Sequence, residues 1–293
     1  MNPTPDPGLK PWALLRDPCR VFRRDGLLVP AKIDFVPRKP TLSPTKIGIY
    51  LACPVKFRWT YVDGRGRWYL KAKSYYSFGS TLHGVLQRFY DSQDQGVETK
   101  GQALAAYDES WIDAGYSNAE EMAEAYGEGR LILERHIEEV ARAPLTAKTL
   151  FVERQFRHDL GEFVLVGRID RVDEADDGSL EIIDYKTGRL SVQPEDVQYD
   201  LAMNCYQLLL KKKYPERDVK ASIVALRTGE SATYSLSPAE LEEFESSLIE
   251  LGTRILSDDH FDRAPFGKPL CVGCDFLPLC RKHEEFIDPT PAA

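Results

Sequence analysis

The sequence predicts a mixed α/β fold: a central mixed sheet flanked by helices, with a helical insert and a cysteine-rich tail. Two patterns carry that expectation. Between residues 149 and 188, three short runs rich in β-branched residues are separated by turn signals. Around them lie long segments with apolar residues at helical spacing. Of 293 residues, 43% are hydrophobic and 29% charged, an ordinary globular balance that can bury a sizeable core. No run of about 18 apolar residues occurs, which argues against a membrane span.

Residues 1–40 are rich in Pro and basic side chains and read as an irregular arm, with one short strand near Ile33–Val36. In TLSPTKIGIYLACP, Ser43 is placed to cap a helix that has Pro44 at its first position. Ile47, Tyr50 and Leu51 follow at helical spacing, and Pro54 marks the end. Residues 78–145 read as largely helical, with an insert at about 86–145. Residues 108–139 carry ten Asp/Glu against two Arg, the pattern of a solvated helical face. From residue 149 the period changes. TLFVERQFRHDL and FVLVGRIDRVDEA form a hairpin across LGE, and DDGS (176–179) turns the chain into LEIIDYKTG. Residues 195–215 then read as one helix, VKASIVALRTG and SATYSLS as strands, and Ser237 as the cap of a last long helix. Residues 41–285 are expected to form one domain and 286–293 a flexible tail.

The net charge of −8 argues weakly against nucleic acid, but it is unevenly spread. Residues 1–75 hold 15 Lys/Arg against 5 Asp/Glu, while the remainder holds 23 against 41. An acidic protein can therefore carry a basic surface. The first residues lack a charged-then-apolar leader, so a cytoplasmic location is expected. In a reducing compartment, the cluster Cys271, Cys274 and Cys280 reads as metal-binding before it reads as disulfides.

LEIIDYKTG raises a physical problem. Leu180, Ile182 and Ile183 want burial, yet Asp184 and Lys186 project from the same face of the strand. Burying such charges without partners costs several kcal/mol each. Asp170 and Asp184 each lie seven residues from Asp177, the middle of the turn, so a hairpin centred there sets them opposite each other. Their face otherwise carries Val164, Val166, Val172, Leu180 and Ile182, with Arg168 the exception, and is expected to pack on the core. Two carboxylates at the ~5 Å of directly opposed residues repel unless a cation lies between them. A divalent cation resolves the conflict, and carboxylate oxygens are the donors that Mg²⁺ or Mn²⁺ prefers. Lys186 can then hold and polarise a water or a scissile phosphate. For an arbitrary Asp-x-Lys, a solvent ion pair on a surface hairpin is the simpler reading; the flanking isoleucines and the opposed Asp170 reverse that preference here.

GRIDRV…EIIDYKTG resembles the core of the PD-(D/E)XK nucleases, in their RecB-like branch. The resemblance implies a restriction-endonuclease-like core in which Asp170 and Asp184 bind metal, the Tyr185 backbone carbonyl assists, and Lys186 is catalytic. It also implies a metal-binding histidine on an upstream helix, which FGSTLHGVLQRFY supplies as His83. Taken alone, His83 beside Leu82, Val85 and Leu86 reads more simply as a core or cap histidine. Glu153, in FVERQF, matches an acidic residue on the preceding strand of related enzymes. Members also carry a Gln-x-x-x-Tyr on the helix after the lysine strand. Tyr206 fits its tyrosine, but Ala202 stands where the glutamine belongs, and Gln198, two turns before Tyr206, is the candidate substitute.

Cys53 lies far from Cys271-x2-Cys274-x5-Cys280, and the four thiolates could hold zinc or an iron–sulfur cluster. Spacing alone does not choose between them, and on physical grounds zinc is slightly favoured. The arrangement resembles the iron–sulfur nucleases, including those of AddB type and the CRISPR-associated exonucleases, which implies a [4Fe–4S] cluster acting as a structural clasp between the N- and C-terminal regions. Cys19 and Cys205 are left out of the ligand set, Cys205 reading as a core residue.

Residues 56–79 interleave Lys and Arg with Phe57, Trp59, Tyr61, Trp68, Tyr69, Tyr75, Tyr76 and Phe78. Phosphates attract the cations and unpaired bases stack on rings, while packing around the cysteines and in the core explains the rings equally well. The expected function is therefore a Mg²⁺- or Mn²⁺-dependent DNA exonuclease acting on single strands or free ends. Its setting would be DNA repair or CRISPR adaptation, with the proteins of either process as partners and no membrane. The competing readings are a DNA-binding scaffold that does not cut, and a zinc-clasped interaction protein.

Overall fold

Strand alternation, capped helices and tight turns resolve into a six-stranded mixed sheet with a helical layer on each face. The computed structural model describes residues 39–91, 97–142, 146–262 and 269–282. The expected arm strand at Ile33–Val36, Cys19 and the 286–293 tail lie outside the described residues. So do all but the last two residues of the 1–40 arm.

The described chain opens with β1 (Thr41–Leu42), two residues that pair in parallel with a later strand. Ser43 then caps α1 (Pro44–Ala52), its hydroxyl accepting the Lys46 N–H at 3.2 Å, with Pro44 in the first turn as the sequence predicts. As expected, α1 ends just before Pro54, at an extended Cys53; Pro54 then opens α2 (Pro54–Phe57), which runs into a π-helical turn at Arg58–Val62. After α3 (Gly66–Tyr69) comes α4 (Ser74–Tyr90), then α5 (Lys100–Ser110) and α6 (Ala119–Arg142). The long strands β2 (Lys148–Asp159), β3 (Val164–Glu174) and β4 (Leu180–Lys186) form an antiparallel meander. Next, α7 (Pro194–Gln198) and α8 (Leu201–Lys213) cross over to β5 (Val219–Ala225), which pairs in parallel with β4, and β6 (Ser231–Tyr234) adds an antiparallel neighbour. The long α9 (Pro238–Ser257) starts at a capping box between Ser237 and Glu240, and α10 (Pro269–Val272) and α11 (Leu277–Cys280) carry the cysteine tail. The sheet runs β1-β3-β4-β5-β6, with β2 also paired to β3.

Two expectations are corrected. Residues 195–215 are not one helix: Asp200 accepts the N–H groups of Ala202 and Met203 and so caps a new helix, separating α7 from α8. The alternation along β3 also differs. Leu165 and Ile169, rather than Val164 and Val166, join Val172, Leu180 and Ile182 in the larger core. An odd-numbered set gives way to an even one between Ile169 and Val172, so the pleat loses its strict period of two there.

The larger core packs one sheet face against α1, α8 and α9. The other face, with Ile183 and Tyr185, packs against Phe78, Leu82, Val85 and Leu86 of α4 and Tyr107 and Leu133 of the insert helices. β4 is thus buried on both faces, which is why its charges matter. Among the described residues no helix is long and apolar enough to cross a membrane.

Candidate active site

The hairpin register follows from the turn. Asp177 accepts the Ser179 N–H at 2.9 Å and Gly178 adopts φ +82°, a left-handed conformation that glycine takes without strain. From there the ladder runs Glu174↔Leu180, Asp173↔Glu181, Val172↔Ile182 and Arg171↔Ile183. One more step would pair Asp170 with Asp184. Instead the Asp170 carboxylate takes the Tyr185 N–H at 2.9 Å, so a side chain replaces the ladder where β3 leaves β4. β4 itself stays straight, paired to β5 as far as Lys186↔Ala225.

β2 breaks at the same level. Its pairing with β3 skips Glu153, whose φ of +47° lies in the left-handed region that a β-carbon disfavours. Extending both registers sets Glu153, Asp170 and Asp184 in one row across three adjacent strands. From the far side α4 lowers His83 onto the row. His83 Nε2 lies 2.9 Å from the Tyr185 carbonyl oxygen, which can only accept, so Nε2 carries the proton. Nδ1 therefore faces the carboxylates, 3.3 Å from Asp170 and 3.8 Å from Glu153. One donor atom each from His83, Glu153 and Asp170 fall within 4.8 Å of one another.

The electrostatics match that crowding. Burial pushes the Asp184 carboxyl up to about 6; Lys186 pulls against the shift and Asp170 adds to it. Lys186 Nζ is 2.7 Å from Asp184 Oδ2, and although its own burial disfavours the charge, Asp184 outweighs that and holds the ammonium protonated. Burial likewise disfavours His83 as a cation, but Asp170 and Glu153 more than offset it and raise its pKa to about 10. The carboxylates thus favour positive charge at this position.

A divalent metal fits this donor set. Asp184 is buried, with the Lys186 ammonium 2.7 Å from its Oδ2. Carboxylates with one imidazole nitrogen are the donors expected around Mg²⁺ or Mn²⁺.

Of the residues nominated from sequence, His83, Glu153, Asp170 and Lys186 line one cleft of roughly 660 Å³ together with Tyr185, and Asp184 lies buried beneath it. The Tyr185 carbonyl accepts a hydrogen bond from His83 and so orients that ring. Tyr206 packs its ring over Gly167, where a β-carbon would come within 2.9 Å of it. Burial, then the charges of Asp184 and Asp170, push its hydroxyl pKa upward. Gln198 is not brought to this group: its amide donates to the Tyr234 hydroxyl at 2.9 Å. Sequence reasoning passed over two arginines. Arg168 holds Glu153 at 2.6 Å on the cleft wall, and Arg171 is buried behind Tyr185, donating to its hydroxyl at 2.7 Å. The signal was present in GRIDRV, where the two cations flank Asp170 on a strand otherwise apolar from Val164 to Val172.

The cysteines nominated as ligands also converge. Cys53, Cys271, Cys274 and Cys280 line one small apolar pocket with Trp59 and Phe276, and no described cysteine is disulfide-bonded. Cys205 is fully buried in the larger core, where burial raises its thiol pKa.

Residues 41–281 match the family model of the PD-(D/E)XK nuclease superfamily. An alignment 195 positions long, covering 56% of this chain, is 27% identical to one of the subunits of the ATP-dependent helicase/deoxyribonuclease of Carboxydothermus hydrogenoformans. That alignment spans only 17% of the relative's length. A crystal structure of a protein assigned as an exonuclease, from Eubacterium rectale, superposes with a TM-score of 0.49 at 10% identity, covering 86% of this chain and 91% of that one.

Proposed function

The chain belongs to the PD-(D/E)XK nuclease superfamily, and on that premise we propose that it is a Mg²⁺- or Mn²⁺-dependent deoxyribonuclease that shortens single-stranded DNA or DNA ends. The observation that carries this reading is the row Glu153, Asp170, Asp184 with His83 above it and Lys186 beside it. A scaffold that only binds DNA has no use for carboxylates crowded around one histidine above a buried Asp184.

His83 Nδ1 and the carboxylates of Asp170, Asp184 and Glu153 would hold the cation. Bound there, it supplies charge for the phosphate and lowers the pKa of an attacking water. The remaining work belongs to the chain. The Tyr185 carbonyl fixes the histidine tautomer so that a lone pair can face the carboxylates. Lys186, held protonated, donates to a phosphate oxygen as negative charge builds on it. Arg168, exposed on the cleft wall, offers a second cation to the strand. Tyr206 backs the row from α8. Gln198 serves the α7–β6 contact in this reading.

The cysteines are proposed to hold a [4Fe–4S] cluster. Joining Cys53 to Cys271 closes a long loop, worth roughly 5 kcal/mol of chain entropy. By this reading the cluster is a clasp and not an electron carrier. DNA repair or CRISPR adaptation is the proposed setting, with a helicase-type protein as a candidate partner.

Labelled single-stranded DNA incubated with Mg²⁺ or Mn²⁺ should be shortened by the wild type and left intact by Asp184→Ala and Lys186→Ala. Equal cleavage by either variant would overturn the mechanism. Anaerobically purified protein should be brown and contain iron; stoichiometric zinc without iron would refute the cluster.

A further inference from the structure

Six of the eight aromatic residues between 56 and 79 fall into two groups, while Tyr61 and Trp68, 39% and 73% exposed, lie outside the cleft lining. Phe57, Trp59 and Phe78 are buried, and Tyr69 packs on Phe276 with ring centroids 5.5 Å apart. These rings belong to the cores and to the cysteine pocket. Tyr75 and Tyr76 do not. They are 62% and 65% exposed, their ring centroids lie 4.4 Å apart, and both line the cleft that holds His83, Asp170 and Lys186. They precede His83 on α4 by eight and seven residues, which at ~1.5 Å per residue sets their Cα atoms about 11 Å along the helix from it.

Their support is rigid. On the buried side of the same turn Ser77 donates to the Ala114 carbonyl at 2.7 Å and Phe78 enters the smaller core. Before the pair, Lys73 is tied to Asp275 at 2.7 Å. That ion pair ties up the Lys73 charge beside the two rings, so the tyrosines offer a ligand ring surface, while Arg168 and Lys186 supply the charge of the same cleft. Phosphate has no use for such a surface. A nucleobase does, because every base has a π-face, and only an unpaired base has that face available.

We propose that Tyr75 and Tyr76 form a stacking platform for unpaired bases next to the scissile phosphate, so that the substrate is a single strand or a frayed end. The proposal rests on the nuclease reading for the identity of the strand, but its test does not depend on cleavage. Oligothymidylates carrying one 2-aminopurine at successive positions are bound to the full-length protein in EDTA, and fluorescence is read with affinity. One or two adjacent positions should be quenched. Tyr75→Ala/Tyr76→Ala should abolish that quench and weaken binding by at least about tenfold, while Tyr75→Phe/Tyr76→Phe keeps both. Mn²⁺ binding followed by electron paramagnetic resonance should be the same in all three proteins, showing that the fold and metal site survive. Under Mn²⁺, the alanine variant should show a raised KM for single strands. Unchanged affinity or a persistent quench in the alanine variant would overturn the platform, as would equal binding of blunt duplex by the wild type. A wild type that binds and quenches but cuts nothing with either metal would instead sink the nuclease reading and leave the platform standing.

Discussion

Tyr185 joins the site to the core through three separate groups. Its N–H donates to Asp170, its carbonyl accepts from His83, and its hydroxyl accepts from the buried Arg171. Arg171 also lies 3.9 Å over the Tyr90 ring and pairs with Asp173 at 3.0 Å, while its Nε has no partner. Tyr185→Phe removes only the hydroxyl. It should cost about 1–3 kcal/mol by leaving a second arginine donor unsatisfied, yet cleavage should keep its rate because both backbone contacts survive. Gly167→Ala makes the opposite case. Its β-carbon would meet Leu209 at 2.7 Å and the Tyr206 ring at 2.9 Å, so α8 must shift at a similar cost of about 1–3 kcal/mol. Urea midpoints should fall alike for both variants, and kcat should fall for Gly167→Ala alone. Equal kcat losses would mean that the Tyr185 hydroxyl acts on the chemistry.

At the scale of elements, the site is the place where β3 parts from β4 and α4 fills the gap. The start of α4 is anchored by the cysteine tail: Asp275 takes Lys73 Nζ and the Lys71 N–H, and its neighbour Phe276 packs on Trp59. Asp275→Ala should lower the urea midpoint and raise KM for single strands more than it lowers kcat, since it frees the helix end and not the carboxylate row. A kcat effect alone would contradict that. This geometry was partly legible beforehand. The Asp170–Asp184 register could be read because DDGS gives the hairpin a centre, and a period of two does the rest. The break at Glu153 could not, because nothing about a glutamate signals a left-handed backbone; neighbouring strands impose it. β1 is too short to leave a period. The α7–α8 break did have a signal in Asp200, a good cap residue, but the continuous apolar pattern around it masked that.

For the whole molecule, buried titrating groups set how stability follows pH. His136 lies under the sheet among Tyr90, Tyr185, Arg171 and Arg135, with Nε2 2.8 Å from the Tyr90 hydroxyl. Burial first, then the two arginines, push its pKa down from 6.5 to about 4. Between those values the unfolded chain binds a proton that the folded protein refuses, so acidification favours unfolding. That shift amounts to roughly 3 kcal/mol, lost as pH falls from 6.5 to 4. Asp184 opposes it. With its carboxyl pushed up to about 6, the folded state keeps a proton that the unfolded state has released, and stability rises as pH falls through 6. His83 is flat in this window: raised to about 10, it is protonated in both states below 6.5, and its contribution is lost only as pH climbs toward 10. The wild-type curve is therefore a sum of opposing terms, and a difference is needed to isolate one. Urea unfolding of metal-free wild type and His136→Gln at pH 7, 5.5 and 4 supplies it. The stability gap between the two proteins should shift by about 3 kcal/mol against the wild type across that range. Parallel curves would mean that His136 titrates normally and that the network behind Tyr185 is open to water.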